Sequence, residues 1–312
     1  MSKLSSWWQV LKRAAVDFNN DNGFKLSASL SYSMIFAVGP LLILVISLIG
    51  IFLGRSAVEG RIYDQIKDLV GGSAALQIQD IISNIRHSNH TVTGAILGGI
   101  ILLLAATGVF TEIQGSINYM WCIQTRPKKG WLKFLLDRLL SFSLIIVFGF
   151  ISLVSLIVTS LVDVLGNRLK VYFSDLTVYV FYAVNLVLTL AVIVLLFTVI
   201  FRILPDAIIR WKDAFAGALF TGIFFVIGKS LIGLYLGNSN IGATYGAVTT
   251  LVVILTWVYY SSIILYFGAE FTKGYAGKLG IAIQPSESAV MILKEEIPRG
   301  AVSAKRAAVQ SS

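Results

Sequence analysis

Apolar residues fall in six blocks along this chain, about 31–54, 93–113, 139–162, 178–201, 214–236 and 247–269, with polar and charged residues collected between them. Each block approaches the roughly 20 residues that a helix needs to cross the ~30 Å hydrocarbon layer. Lipid offers no partners to backbone N–H and C=O groups, so each block must be a helix or part of a closed barrel. The run Val187–Ile200 is too continuously apolar to alternate as a barrel strand. The pattern predicts an all-α integral membrane bundle of six transmembrane helices, a single domain over 1–275, with a polar cytoplasmic tail over 276–312 whose end is disordered.

The segments between the blocks carry patterns of their own. Trp7, Leu11, Ala14 and Phe18 share one side of a predicted helix over 5–18, while Lys12 and Arg13 face elsewhere. That arrangement suits a helix at the headgroup boundary, and equally a helix packed under the bundle. Residues 55–92 hold two apolar stripes, Val58/Ile62/Ile66/Leu69 and Leu76/Ile78/Ile81/Ile82/Ile85, separated by Gly71-Gly72. They predict two short amphipathic helices facing outward between the first two spans.

Composition fits the same class. Hydrophobic residues make up 56% of the 312 and charged residues 13%, half the share of a soluble domain, which is about 25%. The net charge of +9 invites a nucleic-acid reading, but its placement argues otherwise. Of the 25 Lys and Arg, 18 lie on one alternating set of segments and six on the other, with Lys229 inside a span. That bias is the positive-inside rule and predicts an inner-membrane protein with both termini cytoplasmic. The basic charge then meets anionic lipid headgroups, and no basic patch with base-stacking aromatics points to nucleic acid. The first span is too long for a signal-peptide core, so no cleavable leader is expected. The one cysteine, Cys122, has no internal disulfide partner and suggests no redox role.

Candidate chemistry is sparse and lies inside the spans. Gly39-Pro40 should kink the first span and free a carbonyl near Phe36, either for a pathway or simply for packing. Tyr182, Asn185 and Thr189 share a face of the fourth span, and Ser152, Ser155 and Thr159 a face of the third. Hydroxyls can bond their own helix backbone, but Asn185 cannot do so fully and should face the interior. A centred lysine costs ~3 kcal/mol on insertion scales, so Lys229 needs a reason. It either snorkels past Leu236, about 10 Å of helix rise away, or faces a hydrated cavity that attracts an anionic group. Glu112 and Glu270 sit near inner ends of spans, where basic loops can solvate them. Rows of small residues (Gly94/Gly98, Ala214/Ala218/Gly222, Gly233/Gly237) let helices approach closely and place the second and fifth spans centrally. His87 and His90 have no further ligands nearby, so no metal is expected. No phosphate loop of Walker type and no nucleophile elbow occurs, and no cofactor is called for.

Four stretches resemble the YihY/BrkB family of bacterial inner-membrane proteins, formerly labelled ribonuclease BN: 27–50, with Tyr32 and Pro40; 115–141, with Asn118, Trp121, Arg126, Pro127 and Arg138; 201–237, with Arg202, Pro205, Trp211, Gly217, Lys229 and Tyr235; and 245–273, with Tyr245, Gly246, Trp257 and Glu270. The resemblance implies six membrane helices with cytoplasmic ends and puts Lys229 and Glu270 at family-like places. Family names refer to virulence or envelope resistance. The ribonuclease label lacks the clustered acids, histidines or metal ligands that RNA cleavage requires.

Taken together, the residues predict a carrier, exporter or flippase that is not driven by ATP and moves a lipid-like or small amphiphilic solute. The alternative is a non-transporting envelope scaffold acting through 55–92. No enzyme activity is expected, and homo-oligomerisation stays open.

Overall fold

The computed structural model describes residues 3–36, 108–126, 175–238, 249–278 and 281–294. Pro40, the 55–92 segment, His87 and His90, the 139–162 block with its hydroxyl stripe, and Gly94/Gly98 lie outside the described residues. The described part is mainly helical: α1 (Lys3–Asn20), α2 (23–36), α3 (108–120), α4 (Asp175–Ile203), α5 (Trp211–Asn238) and α6 (Thr249–Lys278). Three of these are long and apolar enough to cross a membrane, over Leu186–Ile203, Trp211–Lys229 and Val252–Lys278. They fall on the blocks read as the fourth, fifth and sixth spans.

Helix α5 packs against both α4 and α6, and two rows of small residues explain why. Ala214 and Ala218 are fully buried, and Gly222 lies against Val194, Ile193 and Leu190 of α4. A second row faces α6. A Cβ on Gly217 would overlap the Thr272 hydroxyl, and one on Gly268 would overlap the Thr221 hydroxyl. Each threonine hydroxyl in turn donates to the glycine carbonyl four residues back on its own helix, both at 2.7 Å. The two G-x-x-x-T pairs are thus reciprocal across an antiparallel crossing. Hydroxyls that would be exposed to lipid are satisfied internally while the backbones close together. Phe220 and Phe271 stack beside them at 3.8 Å between centroids.

Helix α1 buries Val10, Ala14 and Phe18 and leaves Lys12 and Arg13 exposed. Its partner is the end of α6, where the Trp7 ring lies 6.0 Å from Phe271 and 5.4 Å from Tyr275. The chain then turns at Asp21-Asn22, with Asn22 at φ 56°. Gly23 opens α2 because any Cβ there would run into the Phe18 ring.

Four short strands close the end of the bundle where α3, α4 and α6 meet their loops. β1 (Ile123–Thr125) pairs antiparallel with β4 (Ala289–Met291), Ile123 opposite Met291. β2 (Ala207–Ile208) pairs with β3 (Gln284–Pro285). Residues 281–294, read from sequence as the start of the polar tail, therefore strap the 121–126 and 204–210 turns together. The core beneath holds Ile117, Met120, Phe201, Leu204, Tyr266 and Ala269, all nearly or fully buried.

Candidate functional site

The polar groups of the strapped end are organised around two buried charges. Asp206 follows Leu204-Pro205 in the turn between α4 and α5, and proline there stops α4. Its carboxylate oxygen Oδ2 accepts hydrogen bonds from Asn118 Nδ2 at 2.9 Å, Thr125 Oγ1 at 2.9 Å and Gln114 Nε2 at 3.2 Å. Its backbone N–H donates to Asn118 Oδ1 at 2.9 Å, and its carbonyl accepts from the Ser286 N–H. One residue therefore ties α3, β1, the α4–α5 turn and the strap. The donors are spaced four apart on α3, which brings Gln114 and Asn118 to the same face.

Glu270 is the second charge, its side chain fully buried on α6. Lys273, one turn on, reaches it at 3.0 and 3.3 Å and also donates to the Met120 carbonyl at 2.6 Å. Asp21 lies 3.5 Å from the same ammonium and 2.6 Å from that of Lys294, which also stands 3.5 Å over the Tyr119 ring. Trp121 Nε1 donates to the Ala269 carbonyl at 3.0 Å. A carboxyl group as buried as Glu270 persists only when hydrogen-bonded, and Lys273 supplies that. Nearby, Arg210 holds Asp213 in a bidentate pair at 2.8 and 3.0 Å, setting an acid in the first turn of α5 where the helix dipole favours it. That hydrogen bond raises the Arg210 pKa above its ordinary value.

The remaining predicted residues sit elsewhere. Lys229 is half-buried in α5, and Gly222 against Val194 sets the α4–α5 register so that Lys229 lies level with the stretch of α4 around Val187. Thr189 is half-buried on that stretch. Tyr182 and Asn185 belong to the same helix within the next two turns, and their side chains lie outside the described residues. Glu112 is half-buried on α3, near enough to Tyr266 to act on it electrostatically. Gly228 meets the Tyr260 hydroxyl on α6, which puts Lys229 about 15 Å of helix rise from Glu270. The structure thus separates Glu270, at the strapped end, from the Lys229 level within the spans.

A family model described as virulence factor BrkB matches residues 14–288. The chain belongs to the virulence factor BrkB family. Within this match lie Asp21, Asn118, Asp206, Glu270 and Lys273. Among similar sequences, a UPF0761 membrane protein of Rhodospirillum centenum is 27% identical over 84% of this chain and 56% of its own. A UPF0761 membrane protein of Stenotrophomonas maltophilia is 26% identical over 83% of this chain and 59% of its own. The ribonuclease-like protein YfkH of Bacillus subtilis is 25% identical over 83% of this chain and 92% of its own. The chain spans about half the length of the UPF0761 relatives it matches first. No solved structure matches.

Asp206, Asp21 and Lys294 were not singled out from sequence. Asp206 did leave a signal, a lone carboxylate between Leu204-Pro205 and Ala207-Ile208-Ile209 that had to find donors if it was buried. Asp21 and Lys294 left none, because their partnership spans most of the chain.

Proposed function

We propose that this BrkB-family membrane protein spans the inner membrane six times with both termini cytoplasmic, and is a carrier, exporter or flippase for a lipid-like or amphiphilic solute, not driven by ATP. The carrying observation is Lys229, a half-buried cation in the apolar length of α5, at the level of Thr189 and the polar face of α4. A cation held there is stabilised by water, by an anion or by reaching an interface. Exposed Ile227 and Leu231 beside it give an amphiphile an apolar surface to follow. The described acids support a non-enzymatic reading. Asp206, Asp213 and Glu270 are each committed to hydrogen bonds or ion pairs, which suits structure better than the free general base that RNA cleavage needs.

Reconstituted protein tests this. Vesicles carrying it should translocate fluorescent anionic phospholipid between leaflets faster than empty vesicles. Lys229→Gln should slow translocation by about tenfold, the size of one lost charge contact, with unchanged yield of folded protein. Full flux in Lys229→Ala, together with loss of cellular function on replacing 55–92, would favour the scaffold reading instead.

A further inference from the structure

At the strapped end, α1, the last turns of α6 and the strap enclose an open cavity of about 660 Å³, within the roughly 300–1,000 Å³ typical of ligand sites. Four cations line it, Arg13, Lys273, Lys278 and Lys294, against one acid, Asp17. These cations are not equivalent. Lys273 is saturated, its donors taken by Glu270 and the Met120 carbonyl with Asp21 beside them. Lys294 uses one proton on Asp21 and lies over Tyr119, which leaves donor capacity. Arg13 is held by Asp17 only at 3.6 Å and is 78% exposed, and Lys278 makes no ion pair among the described residues. Arg13, Lys278 and Lys294 therefore keep uncommitted donors at a cavity whose own lining holds one acid, Asp17. The cavity's other wall is apolar and unfinished. Met291 is half exposed, and Leu293 is 94% exposed.

We infer that this cavity binds a phosphate-bearing amphiphile, with Arg13, Lys278 and Lys294 on the phosphate and Met291, Leu293 and Val10 along its apolar body. Set against Asp17, Asp21 and Glu270, the four cations leave a net positive charge, which complements a phosphomonoester carrying about −1.5 to −2 at neutral pH. Arginine's planar fork suits its paired oxygens. The assignment stands apart from the Lys229 reading, since the cavity lies at the opposite end of α5 and α6 from that level. Arg13, Met291, Leu293 and Lys294 fall outside the 14–288 match, so the site uses the flanks of the family region.

The test is equilibrium binding to the full chain in phosphatidylcholine nanodiscs, with radiolabelled oleoyl lysophosphatidate, glycerol phosphate and lysophosphatidylcholine as probes. Lysophosphatidate should bind more tightly than either of the others. If glycerol phosphate binds weakly, soluble phosphoesters also reach the site; if it does not bind, the source is membrane lipid. Arg13→Gln and Lys278→Gln, both at exposed positions, should each weaken lysophosphatidate by about tenfold, whereas Lys12→Gln, on the exposed face of α1 outside the cavity, should not. Equal affinity for lysophosphatidylcholine or glycerol phosphate, wild-type binding in the Arg13→Gln/Lys278→Gln double variant, or an equal loss in Lys12→Gln would each overturn the assignment.

Discussion

Two side chains decide whether the strapped end holds. Asp206 accepts from three donors supplied by residues more than eighty positions away in sequence. Asp206→Ala strands the buried Asn118 amide, and an unmet buried donor costs about 1–3 kcal/mol. A lower thermal midpoint in detergent, followed by size-exclusion fluorescence, is the expected outcome. For Lys273→Met the cost is also about 1–3 kcal/mol, because the buried Glu270 carboxyl and the Met120 carbonyl lose their shared donor. Adding Glu270→Leu should recover much of the loss, and failure to recover would mean that Lys273 acts chiefly through the Met120 carbonyl. Glu270 was legible as an acid near the end of its span, without its partner Lys273. The convergence on Asp206 was not, because only the folded chain brings α3 to the α4–α5 turn.

At the scale of elements, the α5–α6 contact rests on glycines whose missing side chains are filled by a neighbour's hydroxyl. Gly268→Ala should destabilise by about 1–3 kcal/mol through overpacking. The penalty should shrink in a Thr221→Ala background, since the colliding hydroxyl is then gone. A double-mutant cycle measures this coupling, and strict additivity would contradict the reciprocal packing. Apolar length alone identified these helices, and the Ala214/Ala218/Gly222 row marked one packing face of α5. The Gly217/Thr221 face escaped notice because a threonine's role as a filler depends on a glycine in another helix. Helix α1 shows the same limit. Of its apolar stripe Ala14 and Phe18 are buried while Trp7 is half exposed, and its partner, the Phe271–Tyr275 end of α6, is set by tertiary structure.

For the molecule as a whole, the described residues divide into a membrane-length part with few polar groups and an end where the buried acids Asp206, Asp213 and Glu270 are tied. Hydropathy made the first part legible. Two- and three-residue strands such as Gln284–Pro285 and Ala289–Met291 carry too little pattern to be seen in advance. Removing residues 281–312 should raise hydrogen exchange in 119–126 and 204–210 while leaving the middle of α5 protected. Equal protection in both would show that the strap contributes no closure. The pairing also has a consequence for biogenesis. The ribosome delivers Gln284–Met291 only after all of α1 to α6 has been made, so inserted helices must wait with Asp206's turn unlatched until those residues emerge. Reporter fusions cut before that point sample a nascent, unlatched chain rather than the finished protein.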